Sequence, residues 1–240
     1  MNNIAVKEKE DILVVEEFFE KNVEINKVAG NTKNRFELYS IFKRFFDIVL
    51  SFIGLIICLP IFLIISILIK FDSKGPAIFK QPRVGKNGKT IYVYKFRSMV
   101  MNAEQVLEEL MASDENIRNE YLTNKKLDKD PRITKIGKFI RKTSIDELPQ
   151  LLNVLKGDMS LIGPRPYLFR EIPDMGDNYY SIIRCRPGIT GYWQVNGRSD
   201  TTFEERCVLE KYYSLHINLW MDIKIIFKTV LVVLFSKGAK

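Results

Sequence analysis

Residues 48–69, IVLSFIGLIICLPIFLIISILI, are apolar throughout and carry no charge, and a proline, Pro60, stands near their middle. No other stretch limits the fold of this chain as strongly. As one helix these 22 residues, at ~1.5 Å each, make ~33 Å, enough to span ~30 Å of hydrocarbon. Two features oppose a simple span. Pro60 has no N–H for the helical ladder and its ring crowds the preceding turn, so a sharp kink is expected. Basic residues also flank both ends, Lys43 and Arg44 before, Lys70 and Lys74 after. A spanning helix would leave one cluster outside, against the positive-inside bias, whereas a re-entrant hairpin keeps both on the cytoplasmic face. The residues alone leave the two forms open, with a core helix as a third. The stretch lies too deep in the sequence to read as a signal peptide.

The length, 240 residues, suits one medium domain plus an anchor. Net charge is +8, unevenly spread: residues 1–40 carry eight acidic and six basic groups, so the rest carries about +10. A basic body behind a membrane element points to anionic headgroups or a phosphorylated substrate. Nucleic acid is the generic alternative for such a charge. Cys58, Cys185 and Cys207 form no CxxC or ladder pattern, which suits a reducing compartment. A single histidine, His216, argues against a His-based zinc site or a Ser-His-Asp triad. Catalysis then falls to carboxylates, with Lys and Arg as electrostatic partners.

Residues 1–40 read as a loosely ordered cytoplasmic tail with one short helix at most. Residues 41–46 are aromatic and basic, as expected at an interface, with Lys43 and Arg44 either reaching phosphate or serving only as a topology signal. Residues 75–99 read as two strands around Asn87-Gly88, a strong hairpin signal. Lys80, Arg83, Lys95 and Arg97 on them form either a basic ribbon near the membrane or a solvated face. Residues 102–126 have helical period, with Val106, Leu110, Ile117 and Tyr121 as a packing stripe.

The richest region is 133–166, ITKIGKFIRKTSIDELPQLLNVLKGDMSLIGPRP. After a basic amphipathic segment, 135–142, a new helix is expected to open near Ile145 or Asp146, because Pro149 is tolerated only in a first turn. Asp146 and Glu147 would then sit at a helix N-terminus, which favours the charged form of a nucleophile or metal ligand. The alternative is plain capping, since Ser144 and Glu147 match a capping box. Lys138, Arg141 and Lys142 before the pair, and Gly163-Pro164-Arg165-Pro166 after it, favour a site. The two prolines stiffen the segment around Arg165 and lower the entropy cost of aiming it at an anion; a turn with an exposed arginine is the alternative.

These residues resemble the catalytic module of the bacterial sugar transferases, the monotopic phosphoglycosyl transferases. The matching stretches are KRFFDIVLS with the Pro60 segment, GPAIFKQPRVGKNGKTIYVYKFRSM, DPRITKIGKFIRKTSIDELPQLLNVLKGDMSLIGPRP and RPGITGYWQVNGRSD. They lie, in the family's order, along the run from Lys43 to the C-terminus, which is roughly four-fifths of the chain. The resemblance implies a re-entrant helix-break-helix anchor in the cytoplasmic leaflet, on the bacterial inner membrane. It implies transfer of a sugar 1-phosphate from a UDP-sugar to undecaprenyl phosphate, releasing UMP and opening capsule, exopolysaccharide or O-antigen assembly. It implies an Asp-Glu dyad with Mg2+: Asp146 as nucleophile forming an aspartyl phosphosugar, Glu147 holding the metal, Arg141 contacting phosphate. Arg165, Lys95 and Arg97 are further candidates for substrate phosphate. Family members often carry Ser-Pro at the break, where this chain has Leu59-Pro60. The larger members carry membrane helices before this module; this chain looks like the minimal form with an N-terminal extension.

The Gly-rich, aromatic stretch around 184–198 offers Arg186, Tyr192, Trp193, Gln194 and Arg198 as nucleotide-sugar contacts, the alternative being a loop whose rings pack on the core. WQVNGRSD is like that of hexose-transferring members, which favours galactose or glucose over an N-acetylated sugar. Residues 219–237, with Lys224 and Lys228 in an apolar run, read as an interfacial amphipathic helix or a core helix. The expected fold is α+β: a helix-rich, membrane-associated domain with a small β-hairpin and a re-entrant helix broken at Pro60. Its division is a tail (1–40), a membrane helix (41–72) and a catalytic domain (73–240). A non-catalytic scaffold binding anionic lipid is the competing class, but it has no need of an acidic pair in a basic setting. Nucleic acid is disfavoured by the apolar stretch and the lack of a binding motif. A homodimer is compatible with the sequence.

Overall fold

The structure is a computed structural model that describes residues 33–125, 127–197 and 201–234. Helix α1, Lys33–Asp72, starts before the expected residue 41 and runs through Pro60 as one element. The expected break is thus not an interruption; Pro60 removes one amide from the ladder, which frees the Ile56 carbonyl and permits a bend. Asp47, Ser51, Cys58, Phe62, Ile65 and Ile69, three to seven apart, form a buried to half-buried stripe on α1. Nearly everything else on residues 52–68 is exposed and apolar.

That stripe seats α1 along the rest of the chain. Near its start, the Asp47 carboxylate accepts hydrogen bonds from the Leu161 amide (2.9 Å) and the Ser160 hydroxyl (3.1 Å). Near its end, Phe62, Ile65 and Ile69 pack with Phe96 and Ile140. Asp72 then accepts from the Ile136 amide at 3.1 Å. Both halves of α1 therefore contact one domain.

Strands β1 (Ile78–Val84) and β2 (Thr90–Phe96) pair antiparallel, with Ile78 opposite Phe96 and Val84 opposite Thr90. Asn87 (φ 57°) and Gly88 (φ 75°) supply the left-handed turn, as the Asn-Gly pair predicts. The single helix expected over 102–126 is two, α2 (Ala103–Ser113) and α3 (Glu115–Asn124). Asp114 separates them and its carboxylate caps α3 through the Asn116 amide at 2.8 Å.

Helix α4 (Lys135–Lys142) begins at Thr134, whose hydroxyl accepts from the Gly137 amide at 2.9 Å. A one-turn 3-10 segment (Ile145–Glu147) leads into α5 (Gln150–Lys156), which ends at Gly157 in the left-handed region (φ 92°). Strand β3 (Ser160–Ile162) pairs parallel with β4 (Gly188–Thr190). Short helices α6 (Ile172–Met175) and α7 (Asn178–Ile182) lie between them, and α8 (Tyr192–Asn196), α9 (Phe203–His216) and α10 (Leu219–Leu234) follow.

The hairpin is the hub of packing. Ile91 and Val93 meet Val154 and Met159 of the α5 region; Phe96 meets α1 and α4; Val84 meets Tyr167, Tyr179 and Phe203. Helix α10 buries Ile225 against Ile162 and Tyr213 but leaves Trp220 72% and Phe227 69% exposed. Asp222 on α10 accepts from Tyr213, at 2.7 Å, and from Tyr39 and Lys43 of α1. The outcome is a helix-rich α+β fold with small sheets and one long apolar N-terminal helix, as the sequence predicts.

Candidate active site

Asp146 and Glu147 sit on the 3-10 turn before α5, not on the helix itself. Pro149 is the residue that precedes α5, so the helix starts later than the sequence predicts. The capping box is not formed: Ser144 is left-handed (φ 57°) and its side chain caps nothing. The turn is held from two directions. Ile145 packs on Ile140 and Phe96. Asn153 of α5 then clips onto β2: its Oδ1 accepts from the Tyr94 amide (2.9 Å) and its Nδ2 donates to the Tyr92 carbonyl (2.7 Å). Asn153 is fully buried and completes the ladder edge of β2 as a third strand would.

This clip sets Lys95 of β2 beside the dyad. Its ammonium donates to Glu147 Oε1 at 2.6 Å. Burial opposes the charge on Glu147, yet Lys95 and Arg165 more than offset it and hold this carboxyl below its usual range. Asp146 behaves oppositely. Burial pushes it up to about 6, with Lys95 and Arg141 pulling down and the neighbouring Glu147 pushing up. The helix-terminus effect expected from the sequence is outweighed by desolvation. Gln150, almost fully buried at the start of α5, is a further polar group beside Glu147.

The Arg165 segment is fixed from several sides: the Gly163 amide donates to the Thr190 carbonyl (2.9 Å) and the Gly188 amide donates to the Pro164 carbonyl (2.8 Å). Arg83, buried, donates to the Pro166 carbonyl at 3.0 Å. The Val84 amide donates to the Tyr167 carbonyl at 2.9 Å. Glu210 of α9, fully buried, accepts from the Arg165 amide at 3.0 Å. Backbone crowding adds rigidity: a Cβ on Gly163 would lie 2.3 Å from the Arg186 carbonyl oxygen. The result is a buried Asp beside a charged Glu, under Lys95, Arg141 and Arg165. Such a set can present a carboxylate nucleophile to a phosphorus atom and neutralise phosphate oxygens around it.

The family model described as bacterial sugar transferase matches residues 38–236. The chain belongs to the bacterial sugar transferases. Among its curated relatives is the undecaprenyl-phosphate galactose phosphotransferase of Salmonella typhimurium, 46% identical over 221 residues, which are 92% of this chain and 46% of that protein. The exopolysaccharide production protein ExoY of Sinorhizobium fredii is 40% identical over 199 residues, 82% of this chain and 87% of that protein. The undecaprenyl-phosphate glucose phosphotransferase of Komagataeibacter xylinus is 39% identical over 208 residues, 82% of this chain and 36% of that protein. The chain thus spans about half the length of the Salmonella relative.

Several expected contacts of this sugar transferase lie elsewhere. Arg97 is buried and donates to the carbonyls of Ser73 (2.7 Å) and Lys74, just past the end of α1, so it clamps backbone rather than facing phosphate. Arg186 donates to the Gly157 carbonyl at 2.9 Å, at the end of α5 away from the dyad. Trp193 is buried; its indole N–H donates to Thr201 (2.7 Å), and Arg206 lies 4.4 Å from its ring. Tyr192 packs on Tyr212. Both rings pack within the domain, and the Trp193 ring also lies 5.9 Å from the Arg165 guanidinium, beside the dyad's cations. Gln194 is half-buried with its Oε1 unpartnered among the described residues. Arg198 lies outside the described residues. Lys43 pairs with Asp222, and Arg44 donates to the carbonyls of Val154 (2.6 Å) and Leu155 (2.9 Å). Both therefore fasten α1 to the domain instead of projecting toward headgroups.

Proposed function

We propose that this chain is a phosphoglycosyl transferase. It moves a sugar 1-phosphate from a UDP-sugar, galactose or glucose, to undecaprenyl phosphate at the cytoplasmic face of the bacterial inner membrane. The observation that carries this reading is the Asp146–Glu147 dyad, one carboxyl buried and one held ionised, beneath Lys95, Arg141 and Arg165. The names of the relatives support the acceptor and the hexose.

Asp146 attacks the sugar-proximal phosphorus. The bond from that phosphorus to the bridging oxygen breaks, and UMP leaves with the electron pair. Undecaprenyl phosphate then attacks the same phosphorus, the bond to Asp146 breaks, and the carboxylate is restored. Arg165 and Arg141 hold phosphate oxygens whose charge would repel the nucleophile. Lys95 keeps Glu147 ionised and in place. The burial of Asp146 restricts water, which would otherwise hydrolyse the aspartyl phosphosugar.

Mg2+ fits the donor set. It binds through one or two carboxylates plus substrate phosphates, and here Glu147 would hold it, leaving Asp146 as the nucleophile. Among the described residues no three His, Cys, Asp or Glu form an all-protein cage. When bound, the ion neutralises charge on the donor diphosphate.

Exposed apolar side chains on α1, among them Ile53, Ile56, Ile57, Leu63 and Ile64, favour lipid by ~1.5–3 kcal/mol each. Both halves of α1 pack on one domain, which supports a re-entrant path bent at Pro60 over a straight span.

The test is UMP release by detergent-purified protein with Mg2+, undecaprenyl phosphate and a panel of UDP-sugars. We expect release with one hexose donor and a loss of about a thousandfold or more in Asp146→Asn. Unchanged release in that variant would exclude Asp146 as nucleophile. Failure with every nucleotide sugar would leave a membrane-bound scaffold.

A further inference from the structure

A second cluster of charge lies at the other end of α5. A shallow, solvent-open cleft lies there. Its walls bring together Lys43 and Arg44 of α1, Lys86 of the hairpin turn, and Arg184 and Arg186 before β4, with Asp47 as the one acidic residue lining it. From Glu147 to Leu155 the chain advances about 12 Å at helical rise, so the cleft is separate from the dyad.

Part of this charge has a structural explanation. Arg44 and Arg186 donate to the carbonyls of Val154, Leu155 and Gly157, where a helix C-terminus carries roughly half a negative charge. Lys43 is matched by Asp222. Asp47 supplies one more negative charge, though its Oδ1 is occupied by the Ser160 hydroxyl and the Leu161 amide. The remaining cations are not accounted for. The side chains of Lys86 and Arg184, which also line the cleft, make no hydrogen bond or ion pair among the described residues, and the terminal nitrogens of Arg186 are likewise unused. Capping of α5 does not require them. Like charges converging on one cleft repel, and a bound anion relieves this.

The location identifies the class of anion. One wall of the cleft is α1 from Tyr39 to Asp47, and the uncharged run begins at the next residue, Ile48. Phe42, Phe45 and Phe46 are exposed on the same turns. Aromatic rings at the start of a lipid-embedded run mark headgroup level, and so the cleft opens where lipid phosphates lie. We propose that this cleft is a second phosphate site, which takes the headgroup phosphate of an anionic phospholipid, with Lys86, Arg184 and the terminal nitrogens of Arg186 as donors. It rests on the membrane placement proposed above and not on the chemistry of the dyad.

The test uses the full chain, reconstituted in phosphatidylcholine nanodiscs with or without phosphatidylglycerol and extracted into detergent. Native mass spectrometry then counts retained lipid. Wild type is expected to keep phosphatidylglycerol in preference to phosphatidylcholine. The double variant Lys86→Ala, Arg184→Ala is expected to lose about tenfold of that retention, since each basic group near an anionic headgroup contributes measurably. A charge-matched control, Lys135→Ala with Lys138→Ala on exposed positions of α4, is expected to retain it. Thermal unfolding checks that both variants fold. Equal retention in the Lys86, Arg184 variant overturns the site. Inorganic phosphate titrated into lipid-free wild type separates the sources: binding that depends on Lys86 and Arg184, without any phosphatidylglycerol preference, overturns the lipid assignment in favour of a soluble phosphate. Flotation of wild type with phosphatidylcholine vesicles reports the membrane placement separately. Loss of flotation overturns the placement, whereas flotation without lipid preference overturns the cleft alone.

Discussion

The two ends of α5 carry similar charge and put it to different uses. At the N-terminal end, Lys95, Arg141 and Arg165 face the carboxyls of Asp146 and Glu147. At the C-terminal end, Arg44 and Arg186 face backbone carbonyls. The carbonyls of that helix end are satisfied by these donors and ask for nothing more, so an anion there falls to the cations they leave spare, Lys86, Arg184 and the terminal nitrogens of Arg186. A pair of adjacent carboxyls is not satisfied, because one of them is pushed toward its neutral form at about 6, and a phosphate or metal changes that balance. Counting arginines therefore does not locate a site; asking what each one already holds does.

Exchanging the roles of the two ends is the sharpest way to break this comparison. Arg165→Ala should lower kcat/KM about a hundredfold with little change in stability, as loss of a charged contact to phosphate does. Arg44→Ala should do the reverse: turnover per folded molecule is kept, while denaturant unfolding shows a loss of about 1–3 kcal/mol, because the Leu155 carbonyl is left without its donor and the Val154 carbonyl keeps only the Gly157 amide. The comparison fails if Arg44→Ala costs turnover without stability. Asn153→Ala probes the link between α5 and β2. It strips partners from the Tyr94 amide and the Tyr92 carbonyl, which should cost about 2–3 kcal/mol and loosen Lys95, so kcat falls beyond the loss of folded protein. A kcat unchanged per folded molecule would show that Lys95 does not depend on this clip.

Glu210→Gln gives the one effect with a definite sign in pH. Burial raises this carboxyl from 4.5 to about 8, against the pull of the Arg165 amide and the Arg206 guanidinium. The folded state thus binds the proton more tightly than the unfolded state. That contribution is complete below about 4.5 and is lost as pH rises through about 8. Glutamine does not titrate and still accepts from the Arg165 amide. The variant should gain on wild type as pH rises from 5 to 8, by at most about 1.4 kcal/mol per pH unit. Parallel melting curves across that range would remove the buried proton from the account.

The long apolar helix, the Asn87-Gly88 turn and the Asp146–Glu147 pair are legible in the sequence because each is a local pattern. The fate of individual cations is not, because it depends on partners far along the chain. Arg97 looks as available as Lys95 in the sequence, since both lie on one strand, yet one clamps the end of α1 and the other meets Glu147. Asp114 splits an otherwise continuous helical period, though an aspartate inside a charged segment does not by itself announce a cap. Asn153 carries no signal at all: an asparagine in a short apolar helix is unremarkable until β2 arrives beside it with an open edge. Glu210 is equally silent, as one acidic residue among several on α9.

The fastening of α1 also has an order in time. Asp222 receives Tyr39, Lys43 and Tyr213 together, and Lys43 precedes it by 179 residues. During synthesis α1 is made long before its acceptor on α10. Until α10 has been added, Lys43 has only Asp47 nearby as a counter-charge among the described residues, and Arg44 and Asp47 hold this part of α1. Helix α10 is thus the bolt that locks α1, and a ribosome that stalls before residue 222 leaves α1 made but without the Asp222 contact that fastens it to the domain.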